Sequence, residues 1–168
     1  YQTTSYVFKD SEHAANLFAL KEFGNIYTRI MNPTTDVLEQ RVAALEKGSA
    51  ALCTASGMSA IFLAIHTILS AGDHIIASAS LYGGTDTLFR HSLPKMGITV
   101  DFIEDMTAES LTSAIKDNTK LLYLESVGNP KNDVLDLEAL SAVAKDHGIP
   151  VMVDNTFGPG LCSPIDHG

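Results

Sequence analysis

Residues 151–157 place three polar groups directly after an apolar run of strand character. Asp154 supplies a carboxylate, and Asn155 and Thr156 add an amide and a hydroxyl. Ligands of a parallel α/β sheet bind beyond the carboxyl ends of its strands, so Asp154 is predicted to face a binding crevice. An aspartate after a strand also starts turns or caps helices, and this segment alone favours neither interpretation.

Ser56, Gly57 and Met58 lie where a short apolar run passes into a helical pattern. The free N–H groups and positive dipole at a helix start bind anions, so a phosphate site is one interpretation. Tight packing that needs a glycine is the other. Neither GxxxxGK nor GxGxxG occurs, which argues against a nucleoside triphosphate and a dinucleotide.

Two other predicted strand exits carry groups suited to a flat ligand. Tyr82, followed by Gly83 and Gly84, offers an aromatic ring for stacking, although a purely structural tyrosine is equally compatible. Asn129, four residues after Glu125, offers an amide donor, although Asn129-Pro130 also suits a plain turn. If the sheet is parallel, all four exits open at one edge and form a single site.

Together these groups suit a ligand with a phosphate, a flat ring and a basic ring nitrogen. A carboxylate below an aromatic nitrogen keeps it protonated, which makes pyridoxal 5'-phosphate an electron sink for carbanions. No metal site is predicted, because the six histidines are scattered and HExxH is missing.

The bulk composition narrows the function classes. The chain has 168 residues, of which 45% are hydrophobic, so we expect one folded unit with a substantial core. Its net charge of −9 disfavours nucleic acid, which binds clustered lysine and arginine. No apolar run approaches the ~18 residues of a membrane span. Cys53 and Cys162 lack a metal or redox spacing and predict reduced thiols in a cytoplasmic protein.

Short apolar runs alternate with helical patterns through most of the chain. Strands are predicted at residues 74–78, 98–103, 121–124 and 151–154, and helices at 107–115 and 136–147. This order predicts βαβ units with right-handed crossovers, and hence an α/β fold with a mostly parallel sheet flanked by helices.

The first half of the chain carries weaker patterns. Residues 1–31 suggest an extended N-terminal arm with one short helix near 13–21. Asn32 and Pro33 predict a helix start, and Val37, Leu38, Val42 and Leu45 give that helix one apolar face, with Gly48 at its end.

Four further local predictions concern residues 50–96. Residues 50–54 predict a buried strand, and 58–69 a helix buried on most sides, with His66 as a core histidine. Residues 82–85 predict a turn, and 87–96 a helical segment broken at Pro94.

Five motifs together are similar to the Cys/Met-metabolism family of pyridoxal-phosphate enzymes. They are Asn25-Ile26-Tyr27-Thr28-Arg29-Ile30-Met31-Asn32-Pro33-Thr34, Ser56-Gly57-Met58, Tyr82-Gly83-Gly84-Thr85, Glu125-Ser126-Val127-Gly128-Asn129-Pro130 and Val153-Asp154-Asn155-Thr156-Phe157. The match spans nearly the whole chain in the family's order. It implies an aspartate-aminotransferase-like (fold type I) large domain over residues 32–168, after an arm over 1–31. It also implies assembly as a dimer of dimers.

The resemblance also implies roles for single residues. Gly57 and Met58, beside Ser56, would hold the phosphate, and Tyr82 would stack on the ring and assist catalysis. Asn129 would bond the ring hydroxyl oxygen, and Asp154, with Thr156 nearby, would pair with the ring nitrogen. Tyr27 and Arg29 would reach the phosphate of a neighbouring subunit, where a bidentate arginine suits a phosphate.

One departure limits what the 168 residues are expected to do alone. The family's cofactor-linking lysine lies in a Ser-x-x-Lys motif, and none of the eight lysines has that setting. The family's C-terminal domain, with its substrate-carboxylate arginine, is also missing. Since the chain begins with Tyr1 and not Met, we expect a piece of a longer protein and no catalysis by the piece alone.

Residues 21–35 and 83–89 most resemble the branch of the family that converts O-acetylhomoserine and sulfide to homocysteine and acetate. Methionine γ-lyases usually carry cysteine where Gly84 stands, whereas Met58 is shared with lyases. Cystathionine γ-synthase activity stays open. Two alternatives of another class are a non-catalytic scaffold and a binding module for a phosphorylated small molecule.

Overall fold

A computed structural model describes all 168 residues, and they divide into two units. The first unit comprises Tyr1–Ala44 and Gly48–Cys53, and the second comprises Leu45–Lys47 and Thr54–Gly168. None of the helices has the length and apolarity needed to cross a bilayer.

The first unit contains helix α1 (Ser11–Phe18) and most of helix α2 (Pro33–Leu45). Helix α1 begins earlier than predicted because Asp10 caps it by accepting the His13 N–H at 2.8 Å. Residues 1–31 fold back on themselves, since Ser5 and Tyr27 form an antiparallel bridge on either side of α1. The boundary of the predicted arm and its role therefore stay predictions.

Helix α2 starts where the sequence predicts, because Asn32 Oδ1 accepts the Thr34 N–H at 2.8 Å. Its predicted apolar face is not buried, since Val37 is 58% exposed and Leu38 54% exposed. The predicted strand at residues 50–54 is wrong: no strand forms there. Glu39, instead of a neighbouring strand, accepts the Cys53 N–H at 2.7 Å.

The second unit is built on a four-stranded parallel sheet in the order β2-β1-β3-β4. Its strands are β1 (His74–Ser78), β2 (Thr99–Ile103), β3 (Thr119–Glu125) and β4 (Val151–Asp154). The predicted α/β class and all four predicted strands are confirmed. The register pairs Glu125 at the end of β3 with Asp154 at the end of β4.

Helices cover both faces of this sheet. They are α3 (Gly57–Ile68), α4 (Gly83–Thr87), α5 (Ala108–Ala114) and α6 (Leu137–Asp146). A π-helical turn (Leu88–Ser92) and two 3₁₀ turns (Leu93–Met96 and Pro164–His167) complete the unit. The helical segment at 87–96 is confirmed, with Pro94 accommodated at the start of a 3₁₀ turn. The turn predicted at residues 82–85 is instead the start of α4, since the Asp86 N–H bonds Tyr82 O at 2.9 Å.

Alternate residues along each strand supply two separate cores. Leu121 and Tyr123 point to the face covered by α3, where Tyr123 meets Phe89 edge-on at 4.8 Å between ring centroids. Leu122 and Leu124 point to the face covered by α5 and α6. The same alternation turns Glu125 and its partner Asp154 toward the α3 face.

Helix α3 is less enclosed than predicted. Ile61 and Ile65 are buried, but Leu63 is 52% exposed and Ile68 46% exposed. Its apolar composition therefore overstated how many of its sides are covered. His66 is exposed and is therefore not a core histidine. Its ring packs against Phe62, and its Nε2 is 3.2 Å from Met96 Sδ.

The edge of the sheet opposite the site holds a fully buried histidine. His74 Nδ1 lies 2.9 Å from Thr119 Oγ1, and Nε2 lies 3.3 Å from Asp101 Oδ2. Burial lowers the pKa of His74, and the Lys116 ammonium lowers it further, while Asp101 opposes both. The folded environment therefore favours the neutral imidazole.

We expect stability to depend on pH through His74. A base whose pKa is lower in the folded state than its usual 6.5 stabilises the fold above that value and loses this contribution as pH falls through the folded pKa. Denaturant midpoints at pH 8 and pH 5 should therefore differ less in His74→Gln than in the wild type. The exposed His91→Gln is the control. An unchanged pH dependence in His74→Gln would contradict the assignment.

Candidate active site

One cavity of about 380 Å³ lies in the second unit, beyond the carboxyl ends of its strands. All four predicted exits contribute to its wall, although no strand precedes Ser56. The lining residues are Ser56, Gly57, Met58, Ile61, Tyr82, Glu125, Val127, Asn129, Asp154, Thr156 and Phe157. The structure thus brings seven of the nine predicted site residues together, and Tyr27 and Arg29 lie in the first unit.

The start of helix α3 presents backbone donors to this cavity. Ser56 caps the helix by accepting the Ser59 N–H at 3.1 Å. The N–H groups of Gly57 and Met58, in the first turn, have no acceptor within the helix. A Cβ added to Gly57 would meet no atom within 4 Å, so packing does not require a glycine there. The open space leaves room for a ligand against the backbone.

Asp154 is held in a fixed orientation at the end of β4. Its Oδ1 accepts the Thr156 N–H at 3.0 Å and the Thr156 hydroxyl at 2.5 Å. Its Oδ2 lies 3.5 Å from the Tyr123 hydroxyl. Both interpretations of Asp154 therefore apply, since it starts a turn and also lines the cavity. Thr156, predicted to touch a cofactor, bonds Asp154 itself.

Tyr123 is a neighbour of the site that the sequence did not reveal. It is fully buried within β3, where an apolar run gives no sign of a polar role. Burial raises the pKa of Tyr123, and the carboxylates of Asp154 and Glu125 raise it further. The phenol therefore stays protonated and offers its hydrogen to Asp154.

The ring of Tyr82 forms one side of the cavity mouth and is 52% exposed. Its hydroxyl makes no hydrogen bond within the chain. A Cβ on Gly84 would lie 2.6 Å from Tyr82 Cε1 and 3.1 Å from Met58 Sδ. The absence of a side chain at Gly84 therefore leaves the space that the Tyr82 ring occupies.

Glu125 is the second residue missed by sequence reasoning, which noted it only as part of a strand exit. It is 5% exposed, and its Oε1 accepts the Tyr82 N–H at 2.7 Å. Burial raises the pKa of Glu125, and the neighbouring Asp154 adds to the rise, while the N–H groups of Tyr82 and Asn129 oppose it.

Tyr27 and Arg29 are both exposed in the first unit, and Tyr27 is 42% exposed. The structure shows Tyr27 in the bridge with Ser5, and Thr28 Oγ1 within 3.2 Å of the Tyr6 hydroxyl. A role for either side chain at a neighbouring subunit stays a prediction.

Known proteins share this chain's sequence and fold. A family model described as "Cys/Met metabolism PLP-dependent enzyme" matches residues 1–168. An O-acetyl-L-homoserine sulfhydrylase of Leptospira meyeri is 58% identical over 169 residues, which cover 100% of this chain and 38% of the relative. A homocysteine synthase of Schizosaccharomyces pombe is 52% identical, with 100% and 40% covered. An L-methionine gamma-lyase of Fusobacterium nucleatum is 45% identical, with 100% and 43% covered.

A crystal structure agrees with this fold. It contains a Campylobacter jejuni protein assigned as an O-acetylhomoserine (thiol)-lyase and carrying N'-pyridoxyl-lysine-5'-monophosphate. The TM-score is 0.94 at 42% identity, covering 100% of this chain and 42% of that one. The chain thus spans about two fifths of the length of these relatives.

Proposed function

The chain belongs to the Cys/Met metabolism family of pyridoxal-phosphate-dependent enzymes, and from this premise we propose that the whole protein converts O-acetylhomoserine and sulfide to homocysteine and acetate. One observation carries the proposal: a single cavity faces both a helix start that suits a phosphate and an oriented carboxylate, Asp154. The sulfhydrylase identity of 58% supports this branch of the family.

The residues present fit pyridoxal phosphate. The open space at Gly57 would let a phosphate approach the N–H groups of Gly57 and Met58. Asp154 faces the same cavity, and a volume of about 380 Å³ suits a small ligand. When bound, pyridoxal phosphate stabilises negative charge on the substrate carbon next to the amino group.

In this proposal the chain's own groups bind and orient. Asp154 holds a proton at the ring nitrogen, and Thr156 and Tyr123 keep the carboxylate aimed. The Asn129 amide would donate to the ring oxygen. Tyr82 would stack on the ring, and its hydroxyl would exchange its proton with the substrate as the acetate group leaves. None of the cavity-lining residues is a lysine, so we assign the cofactor-linking lysine to another part of the whole protein.

Gly84 favours the sulfhydrylase over a methionine γ-lyase. The resemblance implies cysteine at this position in the lyases, and a Cβ there would sit 2.6 Å from Tyr82 Cε1. A side chain at 84 would therefore require a different ring position. This supports a site in which Tyr82 lies close to the backbone of α4.

The test uses the whole protein with O-acetylhomoserine and sulfide, and homocysteine is measured. We expect turnover with this pair to exceed both cystathionine formation from cysteine and release of methanethiol from methionine. Visible cofactor absorbance without turnover of any substrate would favour the non-catalytic scaffold. Methanethiol as the main product would favour the methionine γ-lyase.

We further propose a cytoplasmic homotetramer built from tight dimers. The two free cysteines, Cys53 and Cys162, suit a reducing compartment. In such a dimer Tyr27 and Arg29 would reach the partner's phosphate. Sedimentation of the whole protein tests the assembly.

Arg29→Ala is expected to weaken cofactor retention by about tenfold or more, because a charge-assisted hydrogen bond to phosphate is worth about 1.5–3 kcal/mol. The cofactor left after dialysis is measured by its visible absorbance. Arg41→Ala, which removes another exposed arginine, is the matched control. Equal retention in both variants would remove the cross-subunit role.

A further inference from the structure

Glu125 occupies an unusual place for a carboxylate. It is the last residue of β3, is 5% exposed and lines the cavity. Its register partner is Asp154, so two carboxylates stand side by side on one face of the sheet. An apolar side chain of similar size would avoid the cost of burying this charge beside another. Packing alone therefore does not account for Glu125.

The contacts of Glu125 join two loops that both line the cavity. Its Oε1 accepts the Tyr82 N–H at 2.7 Å, in the loop that follows β1. The N–H of Asn129, in the loop that follows β3, faces the same carboxylate and favours its ionised form. Both residues have proposed contacts with the ring, Tyr82 on its face and Asn129 at its edge.

The Tyr82 carbonyl accepts the Asp86 N–H at 2.9 Å in the first turn of α4, and Glu125 accepts the Tyr82 N–H. Helix α4 continues into the π-helical and 3₁₀ turns that end at Met96, and the Tyr82 side chain makes no capping hydrogen bond. Gly84 leaves space for the ring but does not fix the backbone that carries it.

We propose that Glu125 is a positioning residue whose carboxylate fixes the backbone at Tyr82 and Asn129, so that both reach the cofactor at once. This inference rests on the proposed function of the site. The reach of the side chain sets the geometry, and its charge is secondary. Glutamine, which keeps the length and one acceptor oxygen, should therefore replace it better than aspartate, which keeps the charge but is one methylene shorter.

The first experiment measures cofactor affinity in the whole apoprotein, by visible-absorbance titration with pyridoxal phosphate. Glu125→Ala and Glu125→Asp should each weaken affinity about tenfold, as loss of a hydrogen bond to a charged group does, whereas Glu125→Gln should stay within about threefold of the wild type. Glu138→Ala, an exposed glutamate on α6, is the control. Affinity kept by aspartate and lost by glutamine would overturn the proposal, because charge and not reach would then matter.

A double-mutant cycle separates positioning from a general loss of structure. Tyr82→Ala removes the stacking ring, and its effect on cofactor affinity is measured with Glu125 present and with Glu125→Gln or Glu125→Asp. We expect the tyrosine's contribution to persist with glutamine and to fall about tenfold with aspartate. Independent effects in every background would overturn the proposal.

This readout does not depend on turnover. If the wild type binds pyridoxal phosphate but forms no homocysteine, the proposed reaction is wrong. The double-mutant cycle then still tests the role of Glu125, because it measures cofactor affinity. If turnover is normal and the cycle shows no coupling, the inference fails and the proposed reaction stands.

Discussion

Asp154→Ala in the whole protein is expected to lower kcat about 1,000-fold or more. Asp154 is the carboxylate oriented into the cavity by Thr156, and in the proposed site it holds the proton on the ring nitrogen. Removing one preorganised electrostatic partner typically costs 100- to 1,000-fold, and here the loss also lets the cofactor's nitrogen become neutral.

The matched measurement is Asp154→Asn, which keeps the side chain's shape and an oxygen for the Thr156 N–H. We expect kcat to collapse in both variants while bound cofactor is still visible in Asp154→Asn. Asp146→Ala, at the end of α6, changes an exposed carboxylate as the control. Retained turnover in Asp154→Ala would exclude the proposed role. Loss of phosphate affinity with turnover intact would favour a binding module instead.

The convergence of the site could be predicted from the sequence because it follows from topology. Apolar runs at residues 74–78, 121–124 and 151–154, separated by helical patterns, require parallel strands, and parallel strands end at one edge. Residues that follow those runs must then meet. The parallel topology alone is enough to bring these side chains close together.

The tethers within the site could not be predicted, because they depend on register. Glu125 faces Tyr82 only because β3 pairs with β1 and β4 in the observed alignment. Tyr123 reaches Asp154 for the same reason. A one-residue slip would turn both side chains to the other face. The sequence shows an ionisable residue, Glu125, at the end of a predicted strand. It does not show that this residue is buried, which is what points to its role.

The errors outside the site have a different cause. Helix α3 and residues 50–54 are apolar, and an apolar composition predicts burial. Leu52 is 77% exposed and Leu63 is 52% exposed. The prediction for His66 is wrong for the same reason, since its apolar neighbours suggest a core position but its ring is exposed. An apolar pattern predicts that a face prefers burial, but it does not say which surface covers it.

Tyr82→Phe should separate stacking from catalysis. The variant keeps the ring, its contact with Gly84 and its backbone bond to Glu125. It removes only the hydroxyl, which has no partner within the chain and is therefore free to act on substrate. A positioned proton-transfer group typically contributes 100- to 10,000-fold, so we expect kcat to fall about 100-fold.

Cofactor affinity in the same variant should change by no more than about twofold, because stacking depends on the ring and not on its hydroxyl. Tyr1→Phe removes a hydroxyl from a residue that is 75% exposed and serves as the control. Comparable losses of kcat and of cofactor affinity would mean that Tyr82 only stacks. Proton transfer would then need another group, and Tyr123 is a poor candidate, since burial and two carboxylates raise its pKa and keep its proton in place.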